Sequence, residues 1–77
     1  MKSVKIYSTP TCPWCKRAKQ FLTDNHVPFE DIDVSSNELA GEEMVKKSGQ
    51  MGVPVLDIEG TIIVGLDVPK IKETLGI

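Results

Sequence analysis

Both cysteines of this 77-residue chain fall in one short stretch, Thr11-Cys12-Pro13-Trp14-Cys15. Two thiols three residues apart have three chemical uses: a structural disulfide, a pair of metal ligands, or a reversible dithiol–disulfide couple. A disulfide closing so small a loop removes little chain entropy, roughly 2 kcal/mol, and disulfides are seldom kept for stability in a reducing compartment. A structural zinc ion needs about four ligands. The single histidine, His26, is placed beyond the far end of the helix that follows, and there is no second cysteine pair. A metal or iron–sulfur cluster shared between two chains, two cysteines from each, stays open as the alternative. The redox couple fits the local sequence best, because that sequence gives the two sulfurs different work.

Cys12 stands at the junction of a strand-exit loop and a helix, and Cys15 lies one turn inside on the same face. Pro13 suits the first helical position, where its missing N–H would have been unpaired anyway. The amides of Trp14 and Cys15 are then free to point at Cys12, and together with the positive end of the helix they favour its thiolate. Cys12 is therefore the attacking sulfur. Cys15 shares an inward stripe with Ala18 and Leu22, where burial keeps it a neutral thiol until a mixed disulfide forms beside it. Cys15 is the resolving sulfur. Lys16 and Arg17 are candidates for adding positive potential, set against the plainer role of a solvated helix surface.

The elements that must hold this pair alternate along the chain. Val4 and Ile6 alternate with Lys5 and Tyr7 as a half-buried strand, and a helix is expected from about Pro13 to Asp24. Phe29 to Val34 reads as a second strand. A capping box at Ser35 and Glu38 opens a second helix, which Lys46, Lys47 and Gly49 end. Val53 to Ile58 and Thr61 to Gly65 form a hairpin about Glu59-Gly60, and Val68, Ile71 and Leu75 mark a last helix. The order is βαβ followed by ββα. Strands joined through a helix should be parallel and the hairpin antiparallel, giving an α/β fold whose four-stranded mixed sheet is flanked by three helices on both faces. The third strand, the most continuously apolar, should be central, with Pro54 at its start.

Residues 1–77 form one domain, with no linker or repeat. At 40% apolar residues and a net charge of −2, the composition is that of a globular protein and gives no basic patch for nucleic acid. The opening Met1 to Pro10 lacks an apolar signal core, and no apolar run approaches a membrane span. A cytoplasmic monomer is expected.

The Cys-Pro-Trp-Cys motif opening a helix after a strand, Gly52-Val53-Pro54 before the third strand and Val64-Gly65-Leu66-Asp67 after the hairpin together resemble the glutaredoxins, a small branch of the thioredoxin superfamily. The similarity runs over nearly the whole chain. It is strongest to small bacterial glutaredoxin-like redoxins whose last helix opens with Gly-x-Asp-x-Pro-Lys, here Gly65 to Lys70. The resemblance implies a thioredoxin-like fold and a cis-proline at Pro54 opposite the cysteines, leaving the Val53 backbone to pair with an extended thiol substrate. Gly65 and Asp67 match residues that hold glutathione's backbone and amino group, and Trp14 takes the aromatic position of the motif, an exposed docking surface.

The chain also departs from glutathione-dependent members. These commonly carry a lysine ahead of the first cysteine, where this chain has Ser8-Thr9-Pro10, and a Gly-Gly pair with two acids, where it keeps one glycine and one aspartate. Gln50 stands where some relatives have arginine and could offer a hydrogen bond. The expected activity is thiol–disulfide oxidoreduction of disulfide-containing proteins through a Cys12–Cys15 cycle. No cofactor need be bound. Electrons would come from a flavoprotein disulfide reductase or from glutathione, and the missing charges favour the flavoprotein.

Overall fold

A computed structural model of the chain describes residues 3–77. The described residues form four strands and three helices: β1 Val4–Ser8, α1 Pro13–Asp24, β2 Glu30–Asp33, α2 Glu38–Ser48, β3 Val55–Ile58, β4 Thr61–Val64 and α3 Val68–Leu75. One mixed sheet runs in the order β2-β1-β3-β4. β1 and β2 are parallel, with Ile6 opposite Asp31, whereas β1 pairs antiparallel with β3, with Tyr7 opposite Val55. The hairpin closes with Ile58 opposite Thr61. Glu59 and Gly60 turn it at φ 53° and 92°, the positive values whose twist matches two adjoining strands. β3 is central and every one of its residues is buried, as its apolar run implied.

Successive residues of a strand point to opposite faces, so the sheet carries two cores. Val4, Ile6, Leu56, Ile58 and Ile63 face one way and meet Ala18 and Leu22 of α1 and Ile71 of α3. Tyr7 and Val55 face the other way, onto Ala40 and Met44 of α2. On this second face Lys47 reaches down from α2 to the sheet. Its Nζ lies 2.6 Å from Asp57 Oδ2 and 2.9 Å from Glu43 Oε1, and it donates to Tyr7 Oη at 3.2 Å. Lys47 was expected merely to favour the helix C-terminus; it bridges helix and sheet instead.

The start of α2 also differs from the expected capping box. Asp33, ending β2, takes both the N–H and the hydroxyl of Ser35 (2.9 and 2.6 Å), so Ser35 is committed to a turn. Asn37 caps the helix, its side-chain oxygen accepting the Ala40 N–H at 3.1 Å. At the other end the Gly49 N–H donates to Val45 O at 2.7 Å. Strands β2 and β3 are shorter than anticipated, β3 beginning only after Pro54. Among the described residues no helix is long and apolar enough to cross a membrane.

Candidate active site

The Cys12 N–H donates to Thr9 O at 3.3 Å, which folds the exit of β1 into a tight turn ending at Cys12. Cys12 keeps an extended backbone, and Pro13 follows as the first residue of α1. The Cys12 sulfur is the helix N-cap, accepting the Cys15 N–H at 3.1 Å. It also lies 3.9 Å from Val53 O, to which the thiol donates. Both cysteines are free thiols; Cys12 is partly exposed and Cys15 is wholly buried. Burial pushes the Cys15 thiol up to about 11, and its hydrogen bond with Cys12 acts in the same direction. A backbone contact from Thr9 and the charge of Lys19 pull the other way. One sulfur is reachable at a helix tip and the other is neutral and enclosed behind it, the arrangement expected from the spacing.

Across from Cys12 the Val53–Pro54 peptide is cis, as the resemblance implied, and Pro54 is buried. Pro54 O accepts the Gly65 N–H at 2.8 Å, which ties the start of β3 to the exit of β4. Gly65 has φ 78°, a left-handed conformation that a side chain would disfavour. Trp14, Val53, Pro54, Gly65 and Leu66 line a concavity of about 320 Å³ beside the thiols. Four of the expected substrate residues therefore converge. A larger apolar hollow of about 450 Å³ runs along α2 past Val34, Met44, Val45 and Met51, but it contains neither thiol.

The remaining residues singled out from sequence are engaged locally. Trp14 is 54% exposed, and the Arg17 guanidinium stacks 4.8 Å from its ring centre, so Arg17 steadies the tryptophan. Lys16 is exposed on α1. Asp67 follows the concavity and caps α3, its Oδ1 accepting the Lys70 N–H at 3.3 Å. Gln50 turns back on its own loop: its Oε1 accepts the Gly52 N–H (2.6 Å) and its Nε2 donates to Gly52 O (3.0 Å). The side chain that could have met a substrate braces the approach to Val53 instead.

Lys19 was not anticipated. It stands four residues beyond Cys15, one turn along the same helix face, and its Nζ lies 2.7 Å from Asp31 Oδ2. Asp31 in turn accepts the hydroxyl of buried Ser8 at 2.7 Å. The i,i+4 spacing of Cys15 and Lys19 was readable, but the strand partner was not. Among the described residues no three His, Cys, Asp or Glu side chains gather as a metal set.

The glutaredoxin family model matches residues 4–63. The chain is 46% identical, over 94% of its length and 96% of the relative's, to an uncharacterized glutaredoxin-like 8.6 kDa protein in the rubredoxin operon of Clostridium pasteurianum. It is 40% identical to glutaredoxin 3 of Escherichia coli strain K12, covering 87% of this chain and 81% of that one. The crystal structure of a glutaredoxin from Archaeoglobus fulgidus superposes with a TM-score of 0.88 at 31% identity, covering 97% of this chain and 87% of the other. Fold, thiol pair and these likenesses agree, and the chain belongs to the glutaredoxin family of the thioredoxin superfamily.

Proposed function

We propose that the protein is a thiol–disulfide oxidoreductase that reduces disulfides in other proteins through a Cys12–Cys15 dithiol cycle. The observation that carries this is the inequality of the two sulfurs, Cys12 partly exposed at the N-cap of α1 and Cys15 buried one turn behind it. In the first step the Cys12 sulfur attacks one sulfur of the substrate disulfide, whose other sulfur leaves as a thiolate and takes up a proton. The substrate chain lies in the concavity of Trp14, Val53, Pro54, Gly65 and Leu66, paired with the Val53 backbone. Cys15 then attacks Cys12 in the mixed disulfide. The Cys12–Cys15 bond forms, the second substrate thiol departs, and the Cys15 proton ends on it. Two electrons have passed from the protein to the substrate.

The cycle needs a source of electrons, and a flavoprotein disulfide reductase suits this chain better than glutathione. No cation stands in Ser8-Thr9-Pro10, Gln50 is spent on Gly52, and the Asp67 carboxylate caps α3. Substitution tests the division of labour. With insulin as the protein disulfide, Cys12→Ser abolishes reduction, while Cys15→Ser accumulates a mixed disulfide through Cys12 that mass spectrometry identifies. Alkylation of Cys15 ahead of Cys12 by iodoacetamide near neutral pH would reverse the assignment.

A further inference from the structure

The reduced protein poses a problem for its own second step. Cys15 must lose its proton to attack, yet it is fully buried and held neutral. Part of what holds it neutral is Cys12, through a hydrogen bond and through charge, and that part disappears when Cys12 is taken into a mixed disulfide. Burial remains. What is left to oppose it is a backbone contact from Thr9 and the charge of Lys19. Lys19 lies one turn along α1 from Cys15 and is paired with Asp31 of β2 at 2.7 Å. Asp31 is fixed by the hydroxyl of buried Ser8, the last residue of β1, at 2.7 Å. Thr9, next in the chain, makes a backbone contact with Cys15. Helix α1 and strands β1 and β2 thus steady a cation one turn along the helix from the resolving thiol.

We propose that Lys19, oriented by Asp31 and through it by Ser8, is a positioning residue for the second step, its ammonium favouring the Cys15 thiolate as it attacks the mixed disulfide on Cys12. The proposal rests on the dithiol cycle. Lys16 and Arg17 flank the motif more closely in sequence, but Lys16 is exposed and Arg17 stacks on Trp14, so neither occupies this place. The charged and titratable groups bearing on Cys15 are Cys12 and Lys19, both on α1 or its cap; Lys19 in turn faces Asp31 on β2, which has Asp33 as its neighbour. Ser8 on β1 contributes a neutral hydroxyl. Asp31 stays anionic, its carboxyl subject to burial that raises it but held below the usual range by Lys19 and Ser8. It therefore anchors the lysine and is not the acceptor of the Cys15 proton, which leaves on the released substrate thiol.

One kinetic trace separates the two steps. Reduced protein mixed with one equivalent of dithiobis(nitrobenzoate) releases a first yellow thiolate when Cys12 attacks and a second when Cys15 resolves the mixed disulfide. Lys19→Gln is expected to leave the first phase unchanged and to slow the second. A tenfold loss of thiolate is partly offset by the greater nucleophilicity of a more basic sulfur, so the rate near neutral pH falls roughly threefold and its pH profile moves to higher pH. Lys19→Arg restores the second phase. The Lys19–Asp31 pair is partly exposed, which makes unfolding by either change a small concern, and circular dichroism checks it. An unchanged second phase in Lys19→Gln, equal slowing of both phases, or an arginine variant as slow as the glutamine one overturns the proposal and leaves the dithiol cycle standing. Release of a single equivalent by the unmodified protein overturns the cycle itself, and the proposal with it.

Discussion

Replacing Lys47 by methionine keeps an unbranched apolar stem of four heavy atoms, with sulfur in place of Cδ, and removes the ammonium. The group lost lies 2.6 Å from Asp57 Oδ2, and Asp57 is 9% exposed in the middle of β3. Without it, Asp57 keeps a single donor, the Gly60 N–H at 2.9 Å. Breaking a fully enclosed ion pair by removing one partner costs about 3 to 5 kcal/mol. The Lys47 side chain is 29% exposed, so water screens part of this, and we expect a loss of about 2 kcal/mol. In a domain of this size that lowers the melting temperature by roughly 8 to 16 °C. The pH dependence has a definite sign. Burial works to raise the Asp57 carboxyl, but the Lys47 ammonium and the Gly60 N–H outweigh it and hold the group below the usual carboxylate range. The stabilisation by the pair is therefore fully present above about pH 4 and fades as pH falls through the lower folded value. In Lys47→Met burial acts without the ammonium, so protonating Asp57 relieves the variant. Urea unfolding followed by far-ultraviolet circular dichroism between pH 3 and 7 measures the gap, which should be widest near neutrality and shrink in acid. A gap below about 0.5 kcal/mol at pH 7, or one that stays constant as pH falls, would refute the account.

Two further outcomes bear on the groove. Gly65→Ala places a side chain at φ 78° with no atom within 4 Å to obstruct it, so the cost is conformational, about 1 to 2 kcal/mol. KM for a protein disulfide should rise while the alkylation rate of Cys12 is unchanged; a drop in that rate would mean that Gly65 shapes the thiol end as well. Thr9→Lys supplies a cation ahead of the motif, and a charge-assisted bond of about 1.5 to 3 kcal/mol should raise glutathione-coupled turnover by an order of magnitude or more. Rapid glutathione turnover by the unmodified protein would count against a flavoprotein donor.

Local chemistry made much of this legible in advance. Pro13 behind a capping sulfur, the stripe of Cys15, Ala18 and Leu22, and the Glu59-Gly60 turn are decided by neighbours in the chain, and each stands where expected. The cis bond at Pro54 was implied by resemblance and not by any local pattern. The features that escaped are pairings between distant segments. Lys47 looked like a charge at a helix end until β3 brought Asp57 beneath it, and nothing near Lys19 in the chain singled it out, because its partner Asp31 comes from β2. At Ser35 two local motifs competed for one side chain. Asp33 took it, and Asn37 became the cap.

The capping bond at Cys12 makes the first turn of α1 part of the redox couple. A side chain that accepts an N–H at a helix start contributes about 1 kcal/mol, and here the acceptor is the sulfur whose bonding changes in every turnover. If the disulfide sulfur accepts less well than the free one, the helix favours the reduced protein by that difference. Linkage then requires the couple to be more oxidising by the same amount, about 20 mV for 1 kcal/mol. The helix tip is in this sense a potentiometer: changes at Pro13 or Trp14 that loosen the Cys15 N–H should make the protein a stronger reductant without altering either sulfur.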